Sequence, residues 1–172
     1  LLTESALFTA NGDGSWRRQT EGLEALSSDA VSVLPMDLDQ DRDRDLVVVG
    51  QQGLWVIRND RIWQWESLQI DDEPAQAVVG GDPNADGVVD LYVLRSETLD
   101  HFEVLRDLSL VRKHRTELEG MHSMMLADFS GDGRLELFCS GDDSAFVYSI
   151  DDAAALDAPL DEFAYGAVTV RP

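Results

Sequence analysis

Apolar and polar residues alternate with a period of two in many short segments of the chain, the pattern of β-strands with one buried face. Trp63 and Trp65, for example, alternate with Gln64 and Glu66. Short apolar runs rich in β-branched residues, such as the run at 46–49, also predict strands. No run of about 18 apolar residues occurs, so we expect no membrane insertion by this segment. The pattern predicts an all-β fold.

Three acidic loops of nine residues each interrupt the strand pattern at regular intervals. Loop one is 37–45, loop two is 82–90 and loop three is 128–136, so the loops begin 45 and 46 residues apart. A period of this length with four predicted strands per period is the sequence plan of a β-propeller blade. We therefore expect four-stranded antiparallel blades, about three whole and two partial, belonging to a larger propeller.

The same period predicts how the chain divides. We expect residues 1–172 to form one propeller segment, with the end of a blade at 6–30, whole blades at 31–75, 76–121 and 122–165, and the first strand of another blade at 166–172.

Two segments between the predicted strands need their own interpretation. Asn11-Gly12-Asp13-Gly14 predicts a hairpin turn, because glycine supplies the positive φ that such turns need. A metal site at Asn11 and Asp13 is the weaker interpretation, since neither the spacing nor the following strand fits the nine-residue loops. We expect a polar connection at 21–30, and a loop or a short helical turn in the Ala- and Asp-rich segment 151–162.

The charge of the chain limits its partners. Acidic residues number 34 against 13 Lys and Arg, for a formal net charge of −21, and 11 of the acidic residues lie in the three loops. Such a chain repels nucleic acids and anionic membranes, so we expect neither as a partner. The one basic cluster, Arg112-Lys113-His114-Arg115, is interpreted as a solvated strand end.

The acidic loops predict a bound cation. Loop one has carboxylates at positions 1, 3, 5, 7 and 9, which repel one another unless a hard divalent cation with six to eight oxygen ligands lies among them. An EF-hand is excluded, because it needs a glutamate at position 12 and flanking helices. Position 12 is Val48, Val93 or Cys139, and the flanks are strand-like. The alternative is an acidic turn that never binds metal.

The repeated Asp-x-Asp/Asn-x-Asp-Gly-x-x-Asp-Leu pattern, together with the Asn-Gly-Asp-Gly-Ser-Trp hairpin, resembles the FG-GAP/VCBS repeat family over nearly the whole chain. That family includes the blades of integrin α-subunits and many bacterial secreted or surface proteins. The resemblance implies up to three Ca²⁺ sites, with the ion held by side chains 1, 3, 5 and 9 and by the carbonyl of residue 7. The ligand residues so implied are Asp37, Asp39, Asp41, Asp43 and Asp45 in loop one, Asp82, Asn84, Asp86, Val88 and Asp90 in loop two, and Asp128, Ser130, Asp132, Arg134 and Glu136 in loop three.

The loops differ in how well they fit the family pattern. Loop two fits best, because Gly87 holds the position where positive φ is expected. Loop one has Arg42 there, at a cost of about 1 kcal/mol. Loop three should be the weakest site, because Ser130 is a poor neutral ligand and Glu136 is one methylene longer than Asp.

Candidate catalytic residues are few. His101, His114 and His122 stand singly, without metal-ligand spacing, and the sequence has no nucleophile elbow, phosphate loop or paired cysteines. Cys139 is alone, so no intrachain disulfide forms. We therefore expect no catalytic residues, no organic cofactor and no enzyme activity in this segment.

The leading functional interpretation is a calcium-stabilised interaction scaffold of the cell-adhesion type in a secreted or surface protein. Loops of modest calcium affinity suit extracellular, periplasmic or cell-surface locations. We expect a protein or glycan partner on the face opposite the calcium loops, where loops vary in length, and we expect the other blades of the parent propeller as further partners. That face is predicted to carry the turns 51–53, 95–99 and 140–144 and the connections 67–75, 115–121 and 151–165.

Two alternatives remain open from the sequence. In the first, the segment belongs to the propeller part of a secreted carbohydrate-active enzyme, with Arg95, Arg115 or His122 as the candidate residues. In the second, it binds glycans in clefts between blades. No spacing brings those three residues together. Trp63 and Trp65 fit a sugar site, although packing between blades is the favoured interpretation.

Overall fold

The computed structural model of the chain describes residues 6–23, 25–26, 29–60, 64–142, 144–151 and 155–164. Every regular element in these residues is a β-strand, and none of them belongs to a helix long and apolar enough to cross a membrane. The strands are β1 (Leu7–Ala10), β2 (Trp16–Gln19), β3 (Ala30–Met36), β4 (Asp45–Gly50), β5 (Gly53–Asp60), β6 (Gln64–Asp71), β7 (Ala77–Gly81), β8 (Asp90–Leu94), β9 (Thr98–Val104), β10 (Leu110–Glu117), β11 (Met121–Ala127), β12 (Glu136–Gly141), β13 (Ser144–Ile150) and β14 (Leu156–Ala164).

The strands form three four-stranded antiparallel sheets, each made of strands that are consecutive in the chain. Sheet one contains β3–β6, sheet two contains β7–β10 and sheet three contains β11–β14. The strands β1 and β2 form a separate hairpin. The prediction of an all-β fold built from four-stranded antiparallel sheets is therefore confirmed.

The three sheets stack face to face through alternate residues of their second strands. Val47 and Val49 of β4 pack in one apolar cluster with Leu91 of β8. On the other face of sheet two, Tyr92 packs with Leu137 of β12 in a second cluster. Between neighbouring sheets, the first strands approach closely, β3 beside β7 and β7 beside β11. The second strands β4 and β8 are buried along their length, whereas the outer strand β10 is almost entirely exposed.

The predicted hairpin turn at 11–14 is present. Gly12 and Gly14 have positive φ, and the N–H of Asn11 donates to the carbonyl of Ser15. Asp13 accepts hydrogen bonds from the N–H and the hydroxyl of Ser15, which lower its pKa. The carboxylate of Asp13 therefore closes the turn.

Three sequence predictions about connections are wrong. The segment 151–162, expected to be a loop or a short helical turn, contains most of β14. Asp151 and Ala155 hydrogen-bond to each other, and the chain then pairs with β13 in the antiparallel direction. Pro159 lies at a register irregularity of this outer strand, where proline is tolerated in sheets. The predicted connections at 67–75 and 115–121 are shorter, since β6 runs to Asp71 and β10 to Glu117. Trp63 and the predicted strand at 166–172 lie outside the described residues.

The connection at 21–30 is not polar throughout. Leu23 and Leu26 are buried and pack against Leu46, Val48 and Ile57, on the face of sheet one that points away from sheet two. This short segment therefore covers one side of sheet one with apolar residues.

Candidate metal centres in the acidic loops

Each acidic loop joins the first strand of its sheet to the second: β3 to β4, β7 to β8 and β11 to β12. The loops share one backbone conformation, in which residues 4 and 6 have positive φ. These residues are Gln40 and Arg42 in loop one, Ala85 and Gly87 in loop two, and Gly131 and Gly133 in loop three. Left-handed backbone at a non-glycine residue costs roughly 1–2 kcal/mol, so loop one, with two such residues, is the most strained.

Carboxylates inside each loop hold this conformation. The carboxylate at position 1 accepts the N–H of residue 6, at 3.0 Å in loop one and 2.9 Å in loops two and three. The carboxylate at position 5 accepts the N–H of residue 7, at 2.8 to 2.9 Å. Positions 1 and 5 therefore shape the loop whether or not an ion is bound. The position-7 residues Asp43, Val88 and Arg134 contribute their N–H groups to these bonds.

The structure gathers carboxylates in two of the three loops. Asp37, Asp39 and Asp45 of loop one bring carboxylate oxygens within 4.8 Å of one another. Asp128, Asp132 and Glu136 of loop three do the same. Each of these two clusters can hold a metal ion, because oxygen ligands within this separation can reach a common cation.

In loop one the cluster reaches into the protein. Asp45 is almost completely buried, and its carboxylate accepts the N–H groups of Leu38 at 3.0 Å and Asn59 at 2.9 Å. Burial raises the pKa of Asp45, and the charges of Asp39 and Asp41 raise it further, against the lowering effect of these two N–H groups. Oδ1 of Asp37 is buried without a hydrogen-bond partner in the described structure. A cation would satisfy that oxygen and offset the crowded charge.

In loop three Glu136 takes the place of Asp45. Its Oε2 accepts the N–H groups of Phe129 at 2.6 Å and Ser130 at 3.3 Å, so the longer side chain still reaches back to the loop. The N–H of Arg134 and the hydroxyl of Ser130 lower the pKa of Asp132. Ser130 therefore supports a neighbouring carboxylate by donating its hydroxyl hydrogen.

Loop two is different. Its three carboxylates, Asp82, Asp86 and Asp90, are not gathered within the distance that the other two loops achieve. Asn84 donates its amide to Oδ2 of Asp86 at 3.0 Å. Oδ1 of Asp90 lies 2.7 Å from Nε2 of His101. The loop that best fits the sequence pattern is thus the one whose carboxylates are least assembled.

The sequence did not single out His101 as a partner of the loops. It is buried, and its ring stacks between Tyr92 and His114, with ring centroids 5.2 and 5.6 Å away. The available signal was strand register, since His101 is paired with Tyr92, two residues after position 9 of loop two. That signal needs the pairing of β8 with β9, which the sequence alone does not give.

A network of arginines lies at the opposite end of sheet two. Arg95 is buried and donates to Asp100 and to Asp71, both at 2.7 Å, and to the carbonyl oxygen of Glu73. Arg115 donates to both oxygens of Asp100, at 2.5 and 2.7 Å. Burial alone raises the pKa of Asp100, but its hydrogen bonds to Arg115 and Arg95 outweigh this and hold the pKa below its ordinary value.

This network bears on the enzyme interpretation. Arg95 and Arg115 are both engaged with Asp100, and His122 lies 3.3 Å from Asp142 in a separate, exposed pair. Two of the three residues considered as catalytic candidates are therefore together, but in a neutralised structural network.

A cleft of about 520 Å³ lies between β2 and β6. Its lining is largely polar and includes Arg17, Arg18, Glu21, Gln64 and Trp65. The cleft is on the hairpin side of sheet one and includes no residue of the acidic loops.

Comparisons with known proteins show a shared fold and no family. No protein-family profile and no curated protein matches the sequence. A protein from Lactobacillus plantarum, known from its crystal structure, has a TM-score of 0.67 and 14% identity, over 95% of this chain and 50% of that one. The chain thus spans about half the length of that protein, and the likeness shows a shared fold. The Tc holotoxin pore of Photorhabdus luminescens is less similar in structure, with a TM-score of 0.46 and 16% identity over 94% of this chain and 8% of that one.

Proposed function

We propose that the three sheets are consecutive blades of a β-propeller and that acidic loops one and three bind Ca²⁺. The observation that carries the proposal is the gathering of three carboxylates in loop one and again in loop three, at the same place in their sheets. The face-to-face stacking of sheets with neighbouring first strands supports the propeller. The buried, unpartnered oxygen of Asp37 supports a cation in loop one.

The chemistry of the donors favours calcium among the common cations. Both clusters offer carboxylate oxygens and neither includes a nitrogen or sulfur ligand, a set that suits hard cations. The loops also differ in the length of the position-9 side chain, Asp45 against Glu136, and Ca²⁺ tolerates such variation better than Mg²⁺, which demands near-ideal octahedral geometry.

The proposed role of the ion is structural. Each loop joins the first two strands of a blade, so a cation there stiffens the part of the blade that packs on its neighbours. The carboxylate cluster occurs in two of the three sheets, whereas an active site is normally built once. We propose an interaction scaffold of a secreted, periplasmic or cell-surface protein, with a protein or glycan partner on the face opposite the loops.

Calorimetric titration of the calcium-depleted chain with Ca²⁺ tests the metal part. Asp39→Asn and Asp132→Asn keep the oxygens that accept the N–H groups of Asp41 and Arg134 but remove one charge each, so both should weaken binding. Asp107→Asn is the matched control, because Asp107 accepts the N–H of Ser109 in a turn outside the acidic loops. Absence of binding heat in the unaltered chain would contradict the proposal.

The cleft between β2 and β6 supports glycan binding as a second candidate function. Its volume lies in the range of small-ligand sites, and it combines an aromatic ring, Trp65, with several side-chain donors. A glycan array with the chain, Arg18→Ala and Gln64→Ala tests this function, with Arg112→Ala in β10 of sheet two as the control. Binding that both cleft variants lose and the control keeps would support it; binding indifferent to both would exclude this cleft.

A further inference from the structure

Loop two lacks the donor that holds the last carboxylate of the other two loops. In loops one and three, the N–H of residue 2, Leu38 or Phe129, donates to the carboxylate at position 9. Residue 2 of loop two is Pro83, which has no N–H. Asp90 therefore cannot be tied back to its own loop in the same way.

In loop two, Asp90 is hydrogen-bonded to His101 instead. Nε2 of His101 lies 2.7 Å from Oδ1 of Asp90, and both side chains are buried. The corresponding pairs in the other sheets are Val47 with Val56 and Phe138 with Val147, so valine stands where sheet two has His101. Among the three sheets, a histidine and a proline thus occur together in the one whose loop carboxylates are dispersed.

The other two carboxylates of loop two, Asp82 and Asp86, accept hydrogen bonds from donors inside the loop. Oδ2 of Asp86 accepts the amide of Asn84, Oδ1 of Asp86 accepts the N–H of Val88, and both oxygens of Asp82 accept backbone N–H groups. Oδ2 of Asp90 is buried without a hydrogen-bond partner in the described structure. Because Asp82 and Asp86 do not gather with Asp90, a cation at this oxygen would lack the carboxylates that the other loops supply.

We infer that loop two is a metal-independent copy of the acidic loop, in which His101 and Asn84 supply the donors that replace a cation. This inference rests on the proposed calcium binding by loops one and three. The chain then binds two calcium ions at concentrations that fill loops one and three. Pro83 and His101 together distinguish loop two from the other loops. Pro83 lacks the N–H that holds the position-9 carboxylate in loops one and three, and His101 hydrogen-bonds the carboxylate of Asp90.

Counting bound ions in the whole chain tests this inference. Native mass spectrometry and calorimetry with CaCl₂ should give two ions for the unaltered chain. Asp39→Asn in loop one and Asp132→Asn in loop three should each remove one ion. Asp86→Asn, the matched change in loop two, should leave two, because loop two, whose Asp90 is held by His101, has no ion to lose. Three ions, or loss of an ion in Asp86→Asn, would overturn the inference, whereas no bound ion would overturn the proposed function itself.

A gain of function completes the test. Pro83→Ala combined with His101→Val gives loop two the N–H and the valine that the other sheets have, so a third calcium ion should bind. Folding of this variant is checked by circular dichroism, and the unaltered chain and Asp86→Asn decide the matter if it does not fold. A folded double variant that still binds only two ions would show that Pro83 and His101 are not what prevents loop two from binding calcium.

Discussion

In acidic loops one and three, carboxylates face one another, whereas at the opposite end of sheet two they face arginines. Asp37, Asp39 and Asp45 bring carboxylate oxygens within 4.8 Å of one another, beside the half-exposed Arg58 at 3.9 Å from Asp39, and under the proposed function a cation from solution balances their charge. At the other end Asp100 is buried between Arg95 and Arg115, which are part of the chain. If the proposed function is right, the first end depends on the ionic composition of the surroundings and the second does not.

Removal of calcium should have the largest effect and should act only at the loop end. Binding to the folded state alone contributes about 2.7 kcal/mol per site when free calcium is 100 times Kd. Thermal unfolding followed by circular dichroism should therefore show a fall in Tm of several degrees per filled loop when excess EGTA is added. Magnesium in place of calcium serves as the control for ion type. An equal Tm with calcium and with EGTA would show that the loop end does not depend on calcium and would contradict this prediction.

Breaking the arginine network should come next in size and should not depend on calcium. Arg95→Ala leaves buried Asp100 without its buried arginine partner, and removal of one member of a buried pair costs about 3–5 kcal/mol. Arg112→Ala is the control, because its half-exposed side chain lies 3.6 Å from the same carboxylate and should cost less than about 1 kcal/mol. Urea unfolding with and without EGTA measures both. A calcium-dependent cost for Arg95→Ala would mean that the ends are coupled.

Relief of backbone strain sharpens the comparison within loop one. Arg42 has φ of 80°, and glycine at this position removes a cost of about 1–2 kcal/mol while adding some chain entropy. Arg42→Gly should therefore stabilise the chain by roughly 0.5–1 kcal/mol in urea unfolding. Arg44→Gly, two residues on and without positive φ, should destabilise it. A loss of stability in Arg42→Gly would show that the arginine side chain contributes more than the strain costs.

The smallest effect concerns the pKa values of two buried aspartates. In the calcium-free chain, burial places the pKa of Asp45 above its ordinary 3.8, so its ionised form destabilises the fold and acid relieves this as the pH falls through that pKa. The arginines place the pKa of Asp100 below 3.8, so its stabilising contribution is present above 3.8 and is lost as the pH falls through its lower pKa. Carbon-detected NMR titration of the two carboxyl groups should show Asp45 taking up its proton first. The reverse order would contradict the assignment.

Much of the fold followed from the sequence, because strand alternation and loop spacing are local patterns. The order of strands within each sheet and the repeat of the loops were both predictable from them. The strand β14 was not, because its alanines, aspartates and Pro159 have low strand propensity and its place is set by pairing with β13. The burial of Leu23 and Leu26 also depends on tertiary packing, here against sheet one.

The candidate site was predictable as a set of residues but not as an arrangement. Spacing alone ranked loop two first because of Gly87, which does have positive φ. It could not show that Asp90 turns to His101, because that contact depends on the pairing of β8 with β9. Pro83 was visible in the sequence, but its missing N–H matters only once the bond from residue 2 to residue 9 is seen in the other loops.

The hydrogen bond from the sixth residue of each loop to the carboxylate of its first residue has one further consequence. Because this bond is closed within the loop, as in Arg42 with Asp37 and Gly87 with Asp82, the hairpin forms from its own atoms. The shape of the hairpin therefore does not depend on a bound ion. If a sheet of this kind is duplicated, substitutions that remove the proposed ion binding from one copy can leave its hairpin in place, so an array can combine ion-binding and ion-free loops.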